Sequence, residues 1–252
     1  MATLSYHEQK DIENIKKLRE LQKELPSFCS DFFRGIETST STRTRIAYAY
    51  DLKIFFQFLK TANPGTFDNP SHTLTPSDLE KLTVTDLEEY IDYLKCHPSD
   101  TNEDVINTER GLMRKVSSLR SFYSYFFRNE RIEKNPAALV RMPKLHEKEI
   151  IRLEIDEVAK LLDEVEEGDK LTEKQKLYHE RTKVRDLAMM SLLLGTGIRV
   201  SECVGLNIND IDLDTCGARV YRKGGKESVI YFSDEVRDVL ENYLDEREMI
   251  DA

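Results

Sequence analysis

The sequence predicts a mainly α-helical protein with two domains, of which the second also has a small β-hairpin. Amphipathic runs at helical spacing fill most of the chain, and a proline-containing stretch interrupts them at residues 136–150. Near the end, two alternating segments flank the sequence KGGK, which is typical of a tight hairpin turn. The length of 252 residues, with 39% hydrophobic and 33% charged residues, fits a folded globular protein and argues against a disordered chain.

Four helices are predicted in the first half of the chain. Apolar residues recur every three or four positions in each of them, which gives each helix one face for a core. The third helix begins with a capping signature, in which Thr85 is followed by Glu88 three positions later. Residues 98–107 are interpreted as an acidic loop. The predicted helices span residues 11–25, 44–60, 83–97 and 108–129.

Further helices and the β-hairpin are predicted after residue 150. The most apolar of these helices is expected to be buried in a domain core, with Gly195 as its C-cap. Ser233 is the predicted N-cap of the last helix. The predicted helices span residues 154–167, 183–194, 200–206 and 233–250, and the two predicted strands span residues 218–222 and 227–232.

The composition disfavours several classes of protein and site. No apolar run is long enough to span a bilayer, and the N-terminus lacks the apolar core of a signal peptide. The four cysteines and five histidines are scattered, without the spacing of a metal site. We therefore expect a cytoplasmic protein with reduced thiols, no membrane partner, no metal and no other cofactor.

Positive charge is concentrated in one segment of an otherwise acidic protein. The formal net charge is −10, yet residues 110–148 contain ten Lys or Arg and three Glu, a local balance of +7. The rest of the chain therefore sums to −17, which is −10 minus +7. A basic segment of this kind favours a nucleic-acid partner. The alternative, in which the charges are spread over solvated helix faces, stays open on charge alone.

The predicted helix 108–129 has one apolar face and one face of arginines and serines, the latter formed by Arg110, Arg114, Ser117, Ser121 and Ser124. Small hydroxyl residues between arginines allow a helix to lie close to a phosphate backbone, where the arginines make charge-assisted contacts. An ordinary exposed face is the alternative, although Glu, Lys or Ala would suit it better than serine, which is a mediocre helix former. The candidate DNA-contacting residues are Arg43, Arg45, Arg110, Arg114, Lys115 and Arg120.

The octapeptide GTGIRVSE, residues 195–202, follows the apolar helix and places Arg199 at the start of a short helix. An arginine at a helix start adds its fork of donors to the positive end of the helix dipole, which suits a bound phosphate. The alternatives are a surface arginine after a turn and an arginine that pairs with Glu202.

The wider context of this motif resembles the tyrosine recombinase (phage integrase) family, and within it the Xer-like branch. The segment LLLGTGIRVSECVGLNINDIDL, followed by a hairpin with RKGGKE, matches the first catalytic motif and the basic hairpin of that family. STRTRIAYAYDLKIFFQFL and RKVSSLRSFYSYFFRNERIEKNPA resemble the first and last helices of the family's N-terminal domain. The resemblance begins at about Thr38, and it implies a helical, SAM-like core-binding domain followed by a partial α+β catalytic domain.

The resemblance implies a site-specific DNA recombinase or integrase that works through a phosphotyrosyl intermediate, without a cofactor. A tyrosine hydroxyl attacks the phosphodiester, and a 5′-hydroxyl of the partner strand later reverses the reaction. Arg199 matches the first catalytic arginine of the family, which stabilises charge on the phosphate oxygens, and Glu202 would hold this arginine in place. Lys223 matches the hairpin lysine that protonates the leaving 5′-oxygen, with Lys226 as the second choice.

The sequence departs from the family pattern after the hairpin. The family continues with H-x-x-R, a second His or Trp and the nucleophilic Tyr, but the last histidine of this sequence is His179, which precedes Arg199. Tyr221 and Tyr231 alternate like packing residues in the predicted strands, and Tyr243 has no H-x-x-R before it, so none of them is assigned as the nucleophile. We therefore expect the chain to lack the later catalytic motifs and to be inactive on its own; whether this shortening is natural stays open.

The predicted organisation has four parts. They are an N-terminal amphipathic extension at 1–35, a core-binding DNA-clamp domain at 36–135, a linker at 136–150 and the N-terminal part of a catalytic domain at 151–252. The expected partners are double-stranded DNA with an inverted-repeat recombination site and further copies of the chain, as a dimer to tetramer on the DNA. A non-catalytic DNA-binding protein at a recombination site and a helical protein-interaction module are the alternatives.

Overall fold

The structure, a computed structural model, describes residues 6–70, 72–98, 103–146, 149–222 and 226–251. The chain divides into two compact units, Met1–Lys148 and Glu149–Ala252, and each has its own hydrophobic core. Within the described ranges, no helix combines the length and the apolar character that crossing a membrane requires. The predicted fold class, mainly helical with a small region of β-structure near the end, is confirmed.

The first unit consists of helices and a short β-ribbon. Its elements in chain order are α1 (Tyr6–Lys23), α2 (Cys29–Gly35), α3 (Thr42–Ala62), α4 (Pro64–Phe67), α5 (Pro76–Leu79), α6 (Val84–Lys95), β1 (Cys96–Pro98), β2 (Asp104–Ile106) and α7 (Glu109–Arg128). A single 3-10 turn, Pro136–Ala138, follows α7. β1 and β2 pair antiparallel.

The N-cap of α6 lies two residues before the predicted one. Thr83, in an extended conformation, forms a capping box with Asp86 at the N-terminus of this helix. Thr85 and Glu88, which the sequence predicted for these roles, lie inside the first turns. A hydroxyl caps a helix only from the extended residue that precedes it, which is why the earlier threonine takes the role. Thr108 caps α7 through the backbone N–H of the third helical residue.

Aromatic side chains dominate the core of the first unit. The ring of Phe122 meets those of Phe32 and Phe126 edge to face, with centroid distances of 5.2 and 5.1 Å. Leu18 and Leu21 of α1 are buried in the same core, because the apolar stripe of α1 packs against α3. α1 therefore contributes to the core of the first unit.

The ribbon of β1 and β2 replaces the end of the predicted helix 83–97 and part of the predicted acidic loop 98–107, because Cys96 and His97 belong to β1. Pro98 pairs with Asp104, and the neighbouring His97 is buried with its ring stacked on Tyr93 at 5.5 Å. Strands of three residues are too short to show an alternating pattern, so the sequence contains no clear signal for this ribbon.

The first part of the predicted linker packs against the first unit. Ala137 and Val140 are buried in its core. The guanidinium of Arg120, from α7, donates hydrogen bonds to the carbonyl oxygens of Ala137, Ala138 and Val140. These residues are thus fixed to α7 and do not act as a free connection.

The second unit combines helices with a three-stranded antiparallel sheet. Its elements are α8 (Ile155–Glu167), α9 (Glu173–Thr196), α10 (Val200–Val204), β3 (Ile211–Asp212), β4 (Gly217–Arg222), β5 (Lys226–Tyr231) and α11 (Asp234–Asp251). The strand order is β3-β4-β5, and Arg222 lies opposite Lys226 at the end of the predicted hairpin. α9 is longer than predicted, because Thr172 and Gln175 form a capping box that starts the helix at Glu173.

The core of the second unit lies between α9, α11 and the sheet. Ala188 and Leu192 of α9, Val220 of β4 and Leu240 of α11 are among its buried residues. The nearly apolar run that the sequence predicted as a buried helix is the C-terminal half of α9.

α9 ends at Gly197 and not at Gly195, the predicted C-cap. Gly197 has a φ of +66°, and its N–H donates to the carbonyl oxygen of Leu193 at 2.9 Å, which closes the helix. Gly195 lies inside the helix, where a Cβ would stand 2.9 Å from Cγ2 of Val236. The first glycine therefore permits close packing of α11, and the second permits the left-handed backbone that ends α9.

Candidate functional site

The turn after α9 determines where Arg199 lies. After Gly197 the chain leaves the helix, and Ile198 is buried. Arg199 follows in an extended conformation, with φ −74° and ψ 149°, as the N-cap of α10. Because α10 has only five residues, its dipole is short, and the guanidinium of Arg199 supplies most of the positive charge at this position.

The carboxylate of Glu202 holds Arg199 at two points. Its Oε2 accepts the backbone N–H of Arg199 at 3.0 Å, and its Oε1 accepts Nη1 of the same residue at 2.8 Å. The backbone N–H of Arg199, then its guanidinium and the charge of Arg222, lower the pKa of Glu202. Glu202 is buried while 67% of the Arg199 side chain is exposed, so a charged carboxylate anchors an arginine that faces solvent.

The charge of Arg222, at the end of β4, also acts on this ion pair. Arg222 is close enough to add, after the two groups of Arg199, to the lowering of the pKa of Glu202. Lys226 is exposed opposite Arg222. Lys223 lies outside the described residues, so its assignment as the proton donor stays a prediction.

The three tyrosines after Arg199 have different surroundings. Tyr221 and Tyr231 are exposed on β4 and β5, although their alternation predicted packing residues; Val220 and Ile230 occupy the buried face instead. The alternation is real, but it places the tyrosines on the solvent side. Tyr243, on α11, packs against the core of the second unit and lines a cavity of about 270 Å³ bordered by α9, α10 and α11.

Two of the candidate DNA-contacting residues are exposed in the first turn of a helix. They are Arg43 of α3 and Arg110 of α7. Neither makes a hydrogen bond or an ion pair with another residue of the described ranges. Both guanidinium groups are therefore available to a phosphate.

Two other candidates are turned into the first unit. Arg45 is buried, and its Nη1 pairs with Oε1 of Glu37 at 2.8 Å. Lys115 is buried as well, its Nζ donates to Oδ1 of Asn107 at 2.7 Å, and burial lowers its pKa. For these two residues the structure offers internal partners.

The last two candidates, Arg114 and Arg120, also have internal partners. Arg120 binds the backbone of residues 137–140, as described above. Arg114 donates from Nη1 to Oδ2 of Asp51 at 2.5 Å, yet 46% of its side chain remains exposed. Arg114 therefore has both an internal anchor and a solvent-facing side, next to Arg110 on the same face of α7.

Sequence reasoning missed the acidic partners of these arginines. Asp51 is 63 positions before Arg114, and Glu37 is in the turn that follows α2, eight positions before Arg45. A single acidic residue in either place looks like part of a solvated surface. One signal was present for Asp51, because Leu52 and Phe55 beside it belong to the apolar face of α3. An acid within an apolar stripe indicates a buried partner of opposite charge.

Comparisons of the sequence find recombinases. Residues 151–252 match the phage integrase family. Tyrosine recombinase XerC of Caldanaerobacter subterraneus subsp. tengcongensis is 34% identical over a stretch that covers 87% of this chain and 58% of that protein. Tyrosine recombinase XerS of Streptococcus uberis is 31% identical, with 93% of this chain and 71% of that protein covered. The chain thus spans less than two thirds of the XerC relative and more than two thirds of the XerS relative.

Solved structures with a similar fold are also recombinases. A lambda integrase dimer bound to a COC′ core site aligns with a TM-score of 0.54 at 15% identity, covering 85% of this chain and 67% of that one. XerH bound to palindromic difH substrate in a post-cleavage complex aligns with a TM-score of 0.53 at 15% identity, covering 82% of this chain and 53% of that one. At these identities the similarity establishes the fold alone.

Proposed function

The chain belongs to the tyrosine recombinases of the phage integrase family, and we propose that it acts as a site-specific DNA recombinase or integrase. In this proposal the first unit binds double-stranded DNA, and the second unit supplies the first groups of a phosphoryl-transfer site. Cleavage and rejoining pass through a phosphotyrosyl intermediate, so the energy of the phosphodiester bond is kept in the covalent link.

The observation that supports this function best is the exposed guanidinium of Arg199 on the buried carboxylate of Glu202. Negative charge gathers on the non-bridging oxygens of a phosphate during attack, and donors that are fixed in advance stabilise it without reorganisation. Two hydrogen bonds to Glu202 fix the position of Arg199. The remaining N–H groups of the guanidinium are left for the phosphate.

The hairpin supplies the proposed proton donor. A lysine ammonium is protonated at neutral pH and can give its proton to the 5′-oxygen as that oxygen leaves phosphorus. We assign this role to Lys223, with Lys226 as the alternative on the other side of the turn. The assignment is supported by Arg222, the residue before Lys223, whose charge helps to lower the pKa of Glu202.

The proposed partner is double-stranded DNA that contains inverted repeats, on which copies of the chain form dimers to tetramers. The exposed arginines Arg43, Arg110 and Arg114 support contact with the phosphate backbone. Lambda integrase, which has a similar fold, is solved both as a dimer on a core site and as a tetramer on a Holliday junction. We propose a cytoplasmic location for this activity.

A non-catalytic DNA-binding protein at a recombination site is the second candidate. It is favoured by one observation, namely that residues 180–252 contain no histidine, so no H-x-x-R motif follows Arg199 within these 252 residues. Both candidates predict DNA binding, and a covalent protein–DNA link separates them.

Selection from a pool of random duplexes tests the proposed DNA partner. The chain should enrich two inverted half-sites, because a dimer with two-fold symmetry reads the same sequence twice in opposite directions. Binding to the enriched duplex should weaken steeply with added salt. Failure to enrich any sequence, together with no binding at low salt, would favour the protein-interaction module instead.

A further inference from the structure

We propose that Asp51 is a positioning residue for DNA binding, which holds the guanidinium of Arg114 in the orientation that a backbone phosphate requires. The inference rests on the proposed function, because it takes the exposed face of α7 as a DNA-contacting surface. It adds a residue of α3 that itself stays out of contact with the DNA.

The geometry joins one buried and one exposed group. The Asp51 side chain is 2% exposed and that of Arg114 is 46% exposed, and Oδ2 of the acid lies 2.5 Å from Nη1 of the arginine. The two residues are 63 positions apart in the sequence and belong to different helices. The acid therefore lies behind the arginine as seen from solvent, and it fixes one end of the guanidinium.

The other end of the guanidinium remains available. Arginine has five N–H donors in a planar fork, and the hydrogen bond to Asp51 uses one of them. An arginine side chain that is already ordered loses less rotamer entropy when it binds a phosphate. The hydrogen bond from Arg114 to Asp51 thus strengthens the contact between Arg114 and a phosphate without adding a further contact to the DNA.

Stability of the fold does not account for an acid at this position. Leu52 and Phe55 beside it on α3 are buried and apolar. Oδ1 of Asp51 has no hydrogen-bond partner among the described residues, and burial raises the pKa of this carboxyl despite the nearby Arg114. A well-packed apolar residue would be at least as stable as a buried ion pair, so a role for the pair in orientation is favoured.

The next residue on α7, Lys115, lowers the pKa of Asp51 through its charge, but its ammonium hydrogen-bonds elsewhere. Lys115 is committed to Asn107, whose side-chain amide donates in turn to the carbonyl oxygen of Leu94. This second chain of hydrogen bonds fixes the start of α7 relative to α6. Lys115 therefore reaches Asp51 only through its charge, whereas Arg114 hydrogen-bonds to it, on a helix that is itself held in place.

The test is the affinity of Asp51→Asn for a short fluorescein-labelled duplex of mixed sequence, measured at several salt concentrations. If Asp51 acted only as a negative charge near the DNA, removing its charge would strengthen binding. The positioning role predicts the opposite sign, a loss of about fivefold, of the order of the rotamer entropy lost when one free arginine side chain is ordered. Unchanged or tighter binding by the folded variant would overturn the inference.

Matched variants separate this inference from the proposed function. Asp31→Asn removes an acid that pairs with Arg34 and Arg131 instead, and it should not weaken binding. Combining Asp51→Asn with Arg114→Ala should cost no more than Arg114→Ala alone, because the acid acts through the arginine. Additive losses would contradict that coupling.

Two further variants keep the inference testable even if Asp51→Asn fails to fold. Arg114→Lys keeps the charge but loses the planar fork, so positioning predicts nearly the full loss of Arg114→Ala, whereas full retention of affinity would overturn it. If neither Arg110→Ala nor Arg114→Ala changes affinity or salt dependence, the DNA-contacting face itself is wrong, and the proposed function fails with it at this surface.

Discussion

Glu202 accepts hydrogen bonds from both the backbone and the side chain of Arg199, at 3.0 and 2.8 Å, from a buried position. One carboxylate thus caps α10 and orients the guanidinium at the same time. Loss of the carboxylate would therefore affect the local fold and the candidate site together.

Glu202→Gln should lower the free energy of unfolding by about 1–3 kcal/mol, the cost of weakening buried hydrogen bonds to a charged group. Glu241→Gln, at an exposed position of α11, is the control and should change stability by less than about 0.5 kcal/mol. Urea unfolding followed by circular dichroism measures both. If Glu202→Gln and the unaltered chain have equal free energies of unfolding, the buried carboxylate does not hold the turn.

Asp78 should contribute to acid unfolding. Burial alone would raise its pKa, but hydrogen bonds from Lys81, the backbone N–H of Thr75 and His72 lower it from the usual 3.8 to about 2. A lowered folded-state pKa stabilises the protein above pH 4, and this stabilisation, about 2 kcal/mol, is lost as the pH falls from about 4 towards 2. Asp78→Asn should remove that part of the pH dependence of the unfolding free energy. An unchanged acid-unfolding curve would contradict the assignment.

Arg43→Ala and Arg110→Ala should each weaken binding to any duplex, because both side chains are exposed and have no partner among the described residues. Each variant should also reduce the slope of log affinity against log salt by about 0.9, the effect of one lost phosphate contact. Lys95→Ala is the control, because Lys95 is exposed on α6 and already pairs with Asp92. If the salt slopes of Arg43→Ala and Arg110→Ala equal that of the unaltered chain, these arginines do not contact the DNA.

Leu21→Ala should lower the free energy of unfolding by about 2–5 kcal/mol, since Leu21 is buried in the core of the first unit. Ile12→Ala, on the same helix but 41% exposed, should change it by less than about 0.5 kcal/mol. Deletion of residues 1–25 should accordingly give unfolded or insoluble protein. A truncated chain that folds and binds DNA normally would show that α1 is dispensable.

The 252-residue chain should form no covalent adduct with a nicked suicide substrate. Residues that act as a unit in catalysis are strongly non-additive, and Arg199 and Lys223 alone do not replace a nucleophile and the H-x-x-R motif. The measurement is a denaturing gel, on which a protein–DNA band of reduced mobility would contradict the prediction. Tyr243→Phe would then be the first variant to make, and Arg199→Ala should suppress such an adduct with little effect on binding.

The helices and the hairpin could be predicted because they depend on local patterns. The alternation in 218–222 and 227–232 gave the hairpin, and the apolar run before Gly195 gave the buried half of α9. The capping residues were harder to predict, since two nearby residues of the same type, Thr83 and Thr85 or Gly195 and Gly197, suit the cap position equally well in the sequence. Only the backbone conformation decides between them.

The pairing of Arg199 with Glu202 could be predicted from the sequence, but the partners of the candidate DNA-contacting arginines could not. Glu202 follows Arg199, the N-cap of α10, by three positions, which is the spacing of a capping box, so their contact follows from the sequence. Asp51 and Arg114 meet only because α3 and α7 pack together, and Arg120 meets the backbone of residues 137–140 for a similar reason. Long-range contacts of this kind depend on packing, which a single sequence does not reveal.

Because α9 ends at Gly197 and Arg199 follows two residues later, the length of that helix has an angular consequence. An α-helix turns by about 100° and rises by about 1.5 Å for each residue, so one residue added before the glycine would swing the exit of the chain by more than a quarter of a revolution. The guanidinium would then face a different quadrant relative to the sheet. The position of Gly197 therefore sets the direction in which Arg199 projects. A change in the length of α9 would keep that direction only if it added or removed about one whole helical turn.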